Sequence, residues 1–204
     1  MPKTSQAAKD KQRKRILDAA RVCVARKGVV GMTIRDIIVE AGKSSGAVYL
    51  YFRNKQDILA RLLEEMSVCL LEDIRNLPRQ DTIAAYATVA GEVWMMHLSC
   101  AHFLLILESV NDETLRKIWS DTIRALLALM SISIERVDDY RSLERQGFGS
   151  RALARMLFMA YMGSLFGGEH PEAEEVREAP LTPFIDLLIG LPYSVESGLG
   201  LEGI

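Results

Sequence analysis

The chain has 204 residues, 49% of them hydrophobic and 25% charged, an ordinary balance for a soluble protein with a proper core in one large domain or in a small and a medium one. Its formal charge of -2 divides unevenly: 13 Lys and Arg stand against 5 Asp and Glu through Asp57, and 12 against 22 beyond it, so a basic head suited to a polyanion precedes an acidic body. Cys23, Cys69 and Cys100 match no disulfide framework or zinc spacing, the polar start MPKTSQAAKDKQRKR lacks a signal-peptide core, and no uncharged run nears the roughly 18 residues that span a bilayer, so a cytoplasmic protein is expected.

Helical spacing begins early. Ile16, Ala20, Cys23 and Val24 share a face, and Gly28 after Lys27 is a stop signal. Thr33 with Asp36 three residues on predicts a capping box, and Met32 with Ile37 a hydrophobic staple. The helix so opened carries Ile34, Ile37, Ile38 and Ala41 on one stripe and ends at Gly42 in a left-handed conformation. Ser44 caps a short third helix to about Tyr51, and Asn54 a fourth running to Leu77, before Pro78. Asp81 to Leu107 reads as a long apolar helical stretch broken near Ser99–His102, and Asn111 or Asp112 opens another helix to about Val137. After a turn at Gln146–Gly149, Ser150 caps a helix ending at Gly167-Gly168. The acidic run Glu172–Glu178 is a solvated connection, Thr182-Pro183 starts a last helix, and Ser197–Ile204 is a mobile tail.

The segment AGKSSGAVYLYF at residues 41–52 admits three readings. A phosphate-binding loop needs a glycine five residues before Gly42, where Ile37 stands. A nucleophile elbow around Gly42-x-Ser44-x-Gly46 needs a preceding strand, and the 3.6-residue spacing of Ile34, Ile37, Ile38 and Ala41 makes that stretch helical. A helix, a three-residue turn containing glycine and a second helix make a helix-turn-helix. No metal or paired-carboxylate constellation appears elsewhere, so no enzymatic activity, metal or cofactor is expected.

The run Arg15-Ile16-Leu17-x-Ala19-Ala20, with Lys27-Gly28, Thr33-x-x-x-Ile37, Ala41-Gly42-x-Ser44-x-Gly46-x-x-Tyr49-x-Tyr51-Phe52, Lys55 and Ile58-Leu59, resembles the DNA-binding head of the TetR family of bacterial regulators. The resemblance implies an all-α homodimer: a DNA-binding helix-turn-helix domain with a basic N-terminal arm at 1–57, an effector-binding and dimerisation domain at 58–196, and the tail at 197–204. It implies a repressor that leaves a double-stranded inverted-repeat operator when a small, largely apolar effector binds. A DNA-binding dimer without a sensing role is the alternative. Lys43 stands where the family usually has an aliphatic residue, adding outward positive charge, and Tyr51 replaces the more common histidine, keeping a hydroxyl that can donate to phosphate.

Within the head, Ser45, Gly46, Tyr49 and Arg53 share the outer side of the third helix, while Val48 and Phe52 face the core. Ser45, Gly46 and the adjacent Ala47 are small enough for close approach to DNA, and Tyr49 offers a hydroxyl and a ring. By resemblance Arg35 reaches a base edge, preferably guanine. Thr33 both caps its helix and touches phosphate. Lys55, in a first helical turn where a cation is disfavoured, would hold a phosphate beside free N–H groups. With Lys43, Ser44 and Tyr51 these residues make up the expected DNA-contacting set.

The body gives a thinner signal. Trp94, His97, Phe103, Trp119, Met130, Phe158, Tyr161 and Met162 are candidates to line an apolar effector cavity, and each of them equally suits plain core packing. Met159 and Met162 also suit a dimer face. His97 and Cys100 have a spacing that could share a metal, but His102 lies about 140° around the helix from His97, so the three do not converge.

Overall fold

A computed structural model describes residues 6–164, and among them every regular element is an α-helix. The expected helix from Thr182, the helix end expected at Gly167-Gly168, the acidic connection and the tail lie outside the described residues. In chain order the helices are α1 (Gln6–Gly31), α2 (Ile34–Ala41), α3 (Ser45–Tyr49), α4 (Lys55–Arg75), α5 (Ile83–His97), α6 (Cys100–Glu108), α7 (Glu113–Ile134), α8 (Tyr140–Arg145) and α9 (Ser150–Ser164). No single helix among the described residues is long and apolar enough to cross a membrane.

Local chemistry accounts for most of the boundaries. Gly28 breaks the helical path of α1 with φ 70° and ψ 169°. Thr33 caps α2 through Asp36 N and Asp36 answers through Thr33 N, the reciprocal pattern of a capping box. Gly42 closes α2 with φ 60° and ψ 44°, and its N–H and that of Lys43 donate to Val39 O at 3.1 Å and Ile38 O at 3.2 Å, the Schellman pattern. Ser44 Oγ accepts from Ala47 N at 3.3 Å and Asn54 Oδ1 from Asp57 N at 2.8 Å. Ile37–Val39 therefore lie in a helix, and the Ser44 hydroxyl is a cap. Thr82 and Asp112 cap α5 and α7 in the same way, at 3.1 and 3.0 Å. The expected break falls at Leu98-Ser99, where Ser99 caps α6.

Ser150 departs from expectation. Its hydroxyl donates to Glu135 Oε1 at 2.7 Å and accepts from Ser131 at 2.8 Å, while its N–H donates to Tyr140 Oη at 3.1 Å. It is an internal polar link between α7, α8 and α9 rather than a side-chain cap, because burial demands partners for every one of its polar atoms.

The chain forms two compact units, and the division falls within α5 and α7. One comprises the described residues through Asn76 together with Glu92–Leu129, the other Leu77–Gly91 together with the described residues from Met130 on. In the first, α1 packs against α2, α4 and α6, and α4 also meets α6. Ile16, Ala20, Cys23 and Val24 of α1 are buried there, as are Ile58, Leu62, Leu63 and Leu70 of α4. The boundary expected at residue 57 thus lies inside one unit, since α4 begins in the head and continues into the packing around α6. In the second, Tyr161 Oη of α9 donates to Ala87 O of α5 at 2.7 Å, and Asp139 Oδ1 accepts from Ile83 N at 3.1 Å.

Candidate nucleic-acid interface

The corner between α1 and α2 is fixed by charge. Lys27 Nζ donates to Asp36 Oδ1 at 2.6 Å, while Thr33 N and Thr33 Oγ1 both donate to Asp36 Oδ2 at 2.8 Å. Arg26 and Glu40 form a second ion pair across the same two helices. Lys27, with the backbone and hydroxyl of Thr33, holds the Asp36 carboxyl at about 2, below its ordinary 3.8. A depressed carboxylate contributes stability above its unfolded value and loses it as the pH falls through the folded one. The corner should therefore be fully braced above about pH 4 and loosen toward pH 2, and Asp36→Asn should flatten that part of an acid-unfolding curve followed by helical circular dichroism.

On this frame α3 presents an open face. Val48 and Phe52 are buried, whereas Ser45, Gly46 and Tyr49 are exposed, Tyr49 by 51%. A Cβ built on Gly46 would meet nothing within 4 Å, so the glycine keeps the surface low without being required by the fold. Thr33, Arg35 and Ser44 are also exposed, and Lys43, Ala47 and Tyr51 are half-buried. An exposed helix with a low N-terminal end has a shape that a major groove can admit. The basic Arg35 stands in the first turn of the preceding helix.

Lys55 has a role that the sequence did not disclose. Its Nζ donates to Val29 O at 2.9 Å and Met32 O at 3.0 Å, capping carbonyls left open where Gly28 breaks α1. Two of the three ammonium N–H groups are thereby engaged, and one remains for an anion. Arg13 stands beside the expected set. Its guanidinium lies 5.8 Å from the Phe52 ring centroid, and it lines a polar trough with Tyr49, Tyr51, Arg53 and Arg61. The basic run KDKQRKR was the signal for it, but charge alone did not say which of its members reaches α3.

The body candidates separate into two groups. Trp94, His97, Phe103 and Trp119 belong to the first unit; Met130, Phe158, Tyr161 and Met162 to the second. Trp94 and Trp119 are buried, with ring centroids 6.5 Å apart. His97 Nε2 lies 2.6 Å from Asp73 Oδ2 of α4, a partner 24 residues away that local spacing could not reveal. Among the described residues no group of three or more His, Cys, Asp or Glu could hold a metal. Tyr161 is committed to Ala87 O, and its ring edge is 3.1 Å from where a Cβ on Gly91 would stand, so Gly91 is the space that admits it.

Residues 16–62 match the family described as bacterial regulatory proteins, tetR family. An uncharacterized HTH-type transcriptional regulator of Bacillus subtilis, YfiR, is 40% identical over 63 residues, covering 31% of each chain. The HTH-type transcriptional repressor AcnR of Corynebacterium diphtheriae is 33% identical over 72 residues, covering 35% of this chain and 38% of its own. The match thus spans only about a third of these relatives' length. The structure of the SmeT–triclosan complex superposes with a TM-score of 0.69 at 25% identity, covering 88% of this chain and 91% of SmeT.

Proposed function

Since the chain belongs to the TetR family of bacterial regulatory proteins by its helix-turn-helix head, we propose that it is a transcriptional repressor that binds an inverted-repeat operator as a homodimer and leaves it when a small, largely apolar effector enters the body. The observation that carries the DNA-binding part is the exposed, low face of α3, with Ser45, Gly46 and Tyr49 outward and Val48 locked in the core. A three-residue turn pinned by Gly42 and Ser44 sets the direction of that face.

Roles divide along the face. Arg35, Ser45 and Tyr49 read base edges, Gly46 and Ala47 allow close approach, and Lys43, Ser44, Tyr51 and the remaining N–H of Lys55 hold phosphates, joined by Arg13, whereas Thr33, whose N–H and hydroxyl both donate to Asp36, serves as the cap alone. A basic head drawn to phosphate and an acidic body kept away from it match the charge division of the chain. For the effector, the support is the likeness in fold to SmeT, whose structure is a complex with triclosan, and the aromatic groups buried in the body.

Arg35→Ala tests the division. Binding measured over a panel of operator variants should lose preference at one base pair, by about 1–3 kcal/mol, with little change in salt dependence. A variant that keeps its base preference and only flattens the salt dependence would make Arg35 a phosphate contact instead.

A further inference from the structure

His102 is fully buried in the first turn of α6, and its two ring nitrogens face different fates. Nδ1 lies 3.2 Å from the carbonyl oxygen of His97. A carbonyl can only accept, so Nδ1 carries the proton and Nε2 is left as a bare acceptor. No donor reaches Nε2. Burial, the N-terminal position in α6 and the Arg21 guanidinium of α1 all keep the ring neutral, so it stays an acceptor at neutral pH.

An orphaned acceptor in a protein interior is costly and calls for an explanation. Its neighbourhood is aromatic: the His102 ring stands edge-on to Trp119 at 5.9 Å and 80°, and Trp119 adjoins Trp94. A lone buried water wants two to four polar partners; the tryptophan faces supply none, so a water at Nε2 would also have to reach Ser67 Oγ or Arg21 Nε. A flat apolar molecule with a single donor matches both the walls and the one unmet acceptor.

We propose that His102 Nε2 is the polar anchor of an effector site walled by Trp94 and Trp119, and that it accepts a hydrogen bond from a small aromatic ligand of the phenol class. This rests on the reading of the body as the effector-binding part and narrows it to one ligand chemistry. The apolar ring buries against the indoles, and the hydroxyl removes the penalty at Nε2. A methyl ether of the same size keeps the first contribution and forfeits the second.

Trp94 and Trp119 are the chain's two tryptophans, so intrinsic fluorescence reports on the site directly. The full-length protein is titrated with 4-chlorophenol and with 4-chloroanisole, and the imidazole 15N resonances are followed in parallel. The phenol should quench saturably and bind at least tenfold more tightly than the ether, while the His102 Nε2 resonance moves. His102→Phe should lower phenol affinity at least tenfold and leave the ether within about twofold. Equal binding of the two probes, no binding of either, or an unmoved Nε2 resonance at saturating phenol overturns the site. The wild-type comparison and the resonance decide the matter even where the variant fails to fold. A buried water shared between Nε2 and Ser67 Oγ or Arg21 Nε would leave the phenol unbound, and so would overturn the site as well. Phenol binding with a moved resonance but no release of operator would uphold the site and count against effector-gated repression; release by some other compound without phenol binding would do the reverse.

Discussion

Gly42→Val should reduce operator affinity by at least tenfold while the described helices beyond the head remain folded. The native φ of 60° and ψ of 44° belong to the left-handed region, where a side chain costs about 1–2 kcal/mol and a β-branched one is a genuine outlier. A Cβ there would also come within 3.4 Å of the Arg15 guanidinium. The strain can be relieved only by moving to a right-handed conformation, which breaks the hydrogen bonds from Gly42 N to Val39 O and Lys43 N to Ile38 O. Either way the direction of α3 changes, because the turn between α2 and α3 is three residues long. Gly42→Asn is the control, since asparagine tolerates the left-handed region and should retain most of the affinity. Circular dichroism with operator titration separates the loss of aim from a loss of fold.

Lys55→Met should destabilise the head by about 2–3 kcal/mol, as hydrogen bonds from a charged donor contribute about 1.5–3 kcal/mol each and this donor is half-buried rather than sequestered. Both recipients, Val29 O and Met32 O, sit where α1 has already lost its helical path, so neither has the regular partner it would find within a helix. Methionine keeps the length and apolar stem of lysine, which confines the change to the ammonium. Urea denaturation gives the stability. Operator binding at two or more salt concentrations then shows what the third N–H does, because removing one cation from a phosphate lowers the slope of log K against log salt by about one. A slope lower by about one, on top of the reduced stability, is the expected result.

The head was legible because its boundaries are written in local chemistry. Thr33 and Asp36, Gly42, Ser44 and Asn54 each act on backbone groups within a few residues, and each stands in the structure where its spacing placed it. The body was less legible because its polar side chains act at a distance. Asp139 precedes α8 but makes no side-chain cap there; its carboxylate serves Ile83 N, 56 residues earlier, and the six-residue α8 went unrecognised. Ser150 looked like a cap from its neighbours and is instead held by Ser131, Glu135 and Tyr140. Lys55 looked like a free cation in a first turn until the break at Gly28 placed two carbonyls beneath it. His97 and Tyr161, both proposed to line a cavity, carry hydrogen bonds to Asp73 and Ala87 that no periodicity encodes. Aromatic residues at helical spacing announce a core, but only the three-dimensional arrangement shows which polar atom within it lacks a partner.

Selection of bound duplexes from a random DNA pool decides whether α3 is a recognition helix. The native protein should enrich an inverted repeat whose half-sites lie about one helical turn or a related spacing apart, as a two-fold dimer requires. Tyr49→Ala should enrich a motif degenerate at particular positions within each half-site. Enrichment of no symmetric motif, or of the same motif undiminished by Tyr49→Ala together with Ser45→Ala, would rule out α3 as the recognition helix of a two-fold dimer.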